Sequence, residues 1–288
     1  MTITNRSDLL FSVDLEDVRD QVDDGKKYRE AVPGNTHRYL DFLQARNACA
    51  TFFVVGNVAR KYPSLINEIV SEGHEIACHS DTHIQIDKQT QDEFATDLKR
   101  NLEALYAAGA EDVIGYRAPT FSLTAKTQWA YRYLHEAGFK YSSSVLPAAN
   151  PLYGWKEFGD KPRLVHEVFE IPITLHASPL LRVPMAGGVY FRVFPFMLIN
   201  YSAHRHMKKS NPITTYLHPY DIDTQQEHFM HPDLDNKKHL NYLMYVNRSR
   251  VFEKLNRLAD LCKPVSYREY YLSHARGAPA QAISADGK

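Results

Sequence analysis

The sequence predicts an α/β fold in which parallel strands curl toward a barrel. Short apolar runs alternate with stretches of helical spacing along most of the 288 residues, as β–α–β crossovers require. The chemically active residues sit at the ends of those runs: Asp14, Glu16 and Asp17, then His79 and His83, then Arg117, then His218. Barrels of parallel strands collect their sites at C-terminal strand ends. Neither GxGxxG nor GxxxxGKS/T occurs, so an open nucleotide-binding sheet loses its main support.

The elements follow in order. LLFSVD (9–14) reads as a buried strand, and THRYLDFLQARN (36–47) as a helix with Thr36 as N-cap. ATFFVVG (50–56) is a second strand, PSLINEIVSEG (63–73) a helix stopped by glycine, and HEIACH (74–79) a third strand. TQDEFATDLKRNLEALYAAG (90–109) is the clearest amphipathic helix. DVIGYRAP (112–119) is a fourth strand and KTQWAYRYLHEAG (126–138) a further helix. KYSSSVL, EVFEIPI and ITTYLHPYD read as later strands, and residues 238–263 as one or two helices. Residues 150–215 hold several prolines and little periodicity, so long loops or a short hairpin over the barrel mouth are expected there. Residues 1–275 are expected to form one domain with these insertions. The small, polar tail 276–288 is expected to be disordered.

Composition narrows the function. Apolar residues are 44% and charged ones 24%, as in a water-soluble globule able to bury a large core. Net charge is zero, which argues against nucleic-acid binding driven by phosphate neutralisation. Cys49, Cys78 and Cys262 show no motif spacing and read as free thiols of a reducing compartment. The first residues lack the basic and long apolar regions of a signal peptide, and no run is long enough for a membrane span. A cytoplasmic location is therefore expected.

Four clusters carry chemistry. In DLED (14–17), three carboxylates in four residues end an apolar run, which is costly unless something positive joins them. On an extended strand Asp14 and Glu16 share a face. His79 and His83 have a spacing that brings two imidazoles to one metal, and a carboxylate beside them leaves positions open for water. Cys78, one residue before His79, points the other way and reads as a packed thiol. Arg117 at a strand end can orient a carboxylate through paired hydrogen bonds. His218, followed by a stiff proline, can act as an acid near neutral pH. Tyr153, Trp155, Tyr190, Phe191 and Arg192 fall in the expected mouth loops, where they could stack on a sugar.

In this order, HSDTH (79–83), YRAPTFS (116–122) and YLHPYD (216–221), with ATFFVVG and EIVSEGHEIACHS before them, resemble the polysaccharide deacetylase family, the NodB-homology group of carbohydrate esterases. WAYRYLHEAGFKYSSSVLP, RVPMAGGVYFRVFP and YLHPYDID resemble its subgroup with a C-terminal extension, common in bacterial exopolysaccharide gene clusters. The resemblance covers residues 9–272. It implies a distorted (β/α) barrel of about seven parallel strands. It also implies a divalent metal, usually zinc, and removal of acetate from an N-acetylated saccharide. It implies that His79 and His83 bind the metal, Asp14 is the general base, Arg117 orients that base and His218 is the general acid. The Thr120 N–H would then donate to the oxyanion. The usual adjacent aspartates are absent, so the third ligand is either Glu16 or Asp17. KYSSSVL has serine where the subgroup often carries the aspartate that pairs with the acid histidine, so His218 is expected to lack that partner. Relatives on this fold include allantoinase-like hydrolases of other C–N bonds, and a silent sugar-binding relative is a further alternative. Some relatives form homo-oligomers.

Overall fold

The computed structural model describes residues 7–149, 153–177, 182–232, 234 and 236–275. The expected disordered tail lies outside these. The first strands are β1 (Asp8–Leu10) and β2 (Ser12–Leu15), followed by α1 (Val32–Ala45), β3 (Thr51–Val54), α2 (Gly56–Lys61), α3 (Pro63–Ser71) and β4 (Glu75–Cys78). Next come α4 (Gln91–Ala107), β5 (Gly115–Tyr116), α5 (Ala130–Glu136) and β6 (Tyr141–Ser142). The later part carries β7 (Arg163–Val165), β8 (Val168–Glu170), β9 (Leu175–Ala177), β10 (Arg182–Pro184), α6 (Gly188–Val193) and α7 (Phe196–Lys208). It ends with β11 (Ile213–Thr214), α8 (Lys238–Leu243), α9 (Val251–Leu261), β12 (Lys263–Val265) and α10 (Tyr267–His274).

Every residue of β2, β3 and β4 is buried, because parallel strands are covered by helices on both faces. They begin a seven-stranded sheet in the order β2-β3-β4-β5-β6-β8-β7, parallel except for the antiparallel edge pair β7–β8. A second, parallel sheet has the order β11-β1-β12. Phe11 joins the two sheets: its N–H donates to Val265 O and its carbonyl accepts from Thr51 N, both at 3.0 Å. On the far side no ladder among the described residues closes the ring. The Thr214 N–H donates to Thr174 Oγ1 at 2.9 Å and the Thr174 N–H to Thr214 Oγ1 at 2.7 Å. Side chains thus complete a distorted barrel.

Helix α4 shows how local sequence sets an element. Thr90 and Glu93 form a reciprocal capping box at its start. Phe94, Leu98 and Leu105 then recur at helical spacing and are buried, each stabilising by about 1.5–3 kcal/mol. Thr36 differs from expectation. Helix α1 starts four residues earlier, with Pro33 in its first turn, and Thr36 Oγ1 donates back to Val32 O at 2.7 Å. It is an interior residue, not a cap. The stretch 150–215 also carries more regular structure than its prolines suggest, including the hairpins β7–β8 and β9–β10 and the 13-residue α7. Trp155, Phe191 and Arg192 are buried rather than lining a mouth. Cys78 and Cys262 are buried free thiols and Cys49 is exposed.

Candidate metal centre and active site

Strand β2 ends at Leu15, so side-chain alternation carries Asp14 and Glu16 to one face. Glu16 Oε2 lies 2.8 Å from Nε2 of His83 and 3.0 Å from Nε2 of Gln21. The rings of His79 and His83 are 5.0 Å apart at 74°. Glu16, His79 and His83 each offer one donor atom, and these atoms lie within 4.8 Å of one another. His79 Nδ1 is 2.8 Å from Arg117 O; the imidazole is the donor there, which leaves Nε2 as the free lone pair. Burial pushes the His79 pKa down to about 4, so the ring is a neutral imidazole. Burial alone would raise the Glu16 carboxyl, but the His83 charge and hydrogen bond, with His218 and His79, hold it well below the usual range. Two imidazoles and one carboxylate form a donor set that fits a divalent cation of the zinc type with open positions.

Asp17 faces elsewhere. It caps the 3-10 turn Val18–Gln21 and takes Arg19 as a fork, with Nη2 to Oδ2 at 2.5 Å and Nε to Oδ1 at 2.9 Å. Glu16 is therefore the acid that joins the histidines.

The loop holding them is strained and braced. Ser80 and His83 have φ of 63° and 59°, left-handed values that cost a non-glycine residue about 1 kcal/mol or more. From α4, Asp97 accepts the Asp81 N–H on both oxygens at 3.0 Å. Asn101, one turn on, donates to Ser80 O at 2.5 Å and Val54 O at 3.0 Å. Ser80 Oγ accepts the His83 N–H at 2.8 Å. Gly56 sits so close that a Cβ there would fall 2.1 Å from Asp81 Oδ1, which explains glycine at the β3–α2 junction.

Arg117 is fully buried at the end of β5 and makes five hydrogen bonds, as many as a guanidinium has donors. Nη1 donates to Asp14 Oδ1 at 2.5 Å and Ser12 Oγ at 2.8 Å. Nη2 donates to Tyr267 Oη at 2.8 Å and Ser143 Oγ at 3.2 Å. Nε donates to Ser143 O at 3.1 Å. Asp14 Oδ2 stays clear of Arg117 and faces His218 Nε2 at 3.9 Å. Beyond Arg117, Thr120 and Phe121 again have left-handed φ of 51° and 56°.

His218 Nε2 lies 3.7 Å from Glu16 Oε1. Its Nδ1 is 3.0 Å from Asp221 Oδ2, the oxygen that also accepts the His218 backbone N–H at 2.9 Å. His218 thus lacks the aspartate usual after the strand at KYSSSVL, but a residue three positions later in its own turn supplies the carboxylate instead. Burial pulls the imidazole down, but the Asp221 hydrogen bond and charge, aided by Glu16 and Asp14, push its pKa up to about 9. Asp221 in turn is paired with buried Arg192 at 3.0 Å. Asp221, Tyr267 and Asp97 were not reached from the sequence, and Arg192 was read there as a sugar-stacking residue rather than a partner of Asp221; only Asp221 left a local signal, an acid one turn after His218.

A polysaccharide deacetylase model matches residues 21–141, and a model of a domain of unknown function, DUF3473, matches residues 143–271. A curated peptidoglycan-N-acetylglucosamine deacetylase from Bacillus cereus is 36% identical over 70 residues, 24% of this chain and 26% of that protein. The chain thus spans only about a quarter of that relative's length. Among solved structures, a putative polysaccharide deacetylase from Mycobacterium smegmatis covers 100% of this chain and 98% of its own, with TM-score 0.68 and 17% identity. The PuuE allantoinase covers 95% and 93%, with TM-score 0.61 and 15% identity; both show a shared fold. The chain thus carries a polysaccharide deacetylase domain match over residues 21–141, followed by the DUF3473 extension.

Proposed function

We propose that the protein is a metal-dependent N-deacetylase that cleaves the amide of an N-acetylated sugar, in a surface polysaccharide or its precursor. The convergence of Glu16, His79 and His83 with Asp14 and His218 supports this most directly. Glu16, His79 and His83 would hold a divalent cation, zinc by the donor set, which when bound supplies Lewis acidity toward a water and the acetyl carbonyl.

The chain's own residues do the rest. Asp14 takes a proton from the attacking water as its oxygen bonds to the acetyl carbon. Arg117 occupies Asp14 Oδ1 and leaves Oδ2 for that proton. The Thr120 N–H donates to the carbonyl oxygen as it gains charge. His218, held protonated at neutral pH by Asp221, gives its proton to the amine nitrogen as the C–N bond breaks. The products are acetate and the free amino sugar. The Asp221 pairing also weakens the case for a silent sugar-binding relative.

Incubation with N-acetylglucosamine oligomers, N-acetylated nucleotide sugars and allantoin, with acetate and ureide hydrolysis assayed before and after chelation, tests the reading. Chelator-sensitive acetate release from a saccharide is expected. Turnover of allantoin alone, or no acetate from metal-loaded protein, would overturn it.

A further inference from the structure

We infer that Arg192 is a positioning residue for the proton-donating step, acting through Asp221 on His218. The inference rests on the deacetylase reading above. Arg192 lies on α6, inside the segment matched by the DUF3473 model, and is 1% exposed. Its Nε is 3.0 Å from Asp221 Oδ1, an ion pair that misses the alignment of a hydrogen bond. The other oxygen, Oδ2, receives the ring and the backbone of His218. One carboxylate is thus divided between the guanidinium and the imidazole.

This division has a geometric consequence. With Nδ1–H fixed on Asp221, the His218 ring plane is set and Nε2 turns to Asp14 and Glu16. Asp221 is wholly buried, and a buried carboxylate keeps one orientation only while its countercharge holds it. Arg192 is anchored for that task. Nη1 donates to Met244 O at 2.5 Å, and its own carbonyl accepts Lys254 Nζ at 2.8 Å and Asn247 Nδ2 at 3.3 Å. Arg192 therefore reaches the reacting centre through two contacts.

A residue that only held the extension in place would slow all substrates alike. A residue that aims the proton donor matters for a poor leaving group and not for a good one. Metal-loaded wild type, Arg192→Met and Arg192→Lys are compared on an N-acetylated amino sugar and on 4-nitrophenyl acetate, whose phenolate leaves without a proton. Arg192→Met is expected to lower kcat on the amide by about 10²-fold at nearly constant KM, within the usual range for general acid catalysis. The ester rate stays within about threefold of wild type, and Arg192→Lys recovers part of the amide loss. In parallel, proton NMR of the metal-free proteins at neutral pH reads the His218 Nδ1–H bond to Asp221: a slowly exchanging Nδ1–H signal in wild type and its loss in Arg192→Met. Equal losses on amide and ester, or an unchanged Nδ1–H signal, would overturn the inference. If Arg192→Met does not fold, Arg192→Lys carries both comparisons. If wild type cleaves no amide, the deacetylase reading fails while the NMR arm still decides the role of Arg192.

Discussion

Oε2 of Glu16 lies 2.8 Å from Nε2 of His83, whereas the next carboxylate, Asp17, closes on Arg19 at 2.5 Å. Strand alternation sends adjacent acids to opposite sides, one to the histidines and one to a buried cation. Glu16→Gln should abolish stoichiometric zinc binding in a metal-content assay. Asp17→Asn should keep the metal and lose about 1–3 kcal/mol of stability in denaturant unfolding, because Arg19 loses its charged partner.

Asp14 and Arg117 form one unit. Asp14→Asn should lower kcat by about 10²–10⁴-fold with metal content unchanged, the loss expected of a general base. Arg117→Ala should destabilise by about 3–5 kcal/mol, since it strands a buried carboxylate. Unfolding curves beside kinetics on both variants separate these effects.

Asp97 touches no reactant, yet it holds the backbone of the histidine loop. Asp97→Ala should weaken zinc affinity by about 10–100-fold, as lost outer-shell support does elsewhere, with all three ligands still present. Competition with a chromogenic chelator measures this.

His74 sits before β4, away from the site, and burial pushes its pKa down to about 4. The unfolded chain takes that proton near pH 6.5 and the folded chain only near 4, so the contribution is full above pH 6.5 and is lost as pH falls through that window. His74→Gln should flatten this fall by about one proton in slope, on the order of 2 kcal/mol, with deacetylation unchanged. Chemical denaturation at several pH values between these limits checks it.

Strands β2 to β4 and helix α4 were readable because apolar runs, periodicity and the Thr90 cap are local signals. His79, His83, Asp14, Arg117 and His218 also meet, since each lies at or within a few residues of the C-terminal end of a strand. What sequence left open was conformational or distant. The choice between Glu16 and Asp17 turned on one peptide's rotation. Tyr267 reaches Arg117 across 150 positions, and Arg192 has no local pattern. Helix α7 was hidden because it lacks a side-chain cap and leaves Met197 and Tyr201 exposed, which blurs its periodicity.

Acetate release from an N-acetylglucosamine oligomer, followed through chelation and zinc restoration in wild type, Glu16→Gln and Asp17→Asn, tests the metal-dependent deacetylase most directly. Zinc should restore release in wild type and in Asp17→Asn but not in Glu16→Gln. Restored release in Glu16→Gln, or chelator-resistant release in wild type, would contradict a centre built on Glu16, His79 and His83.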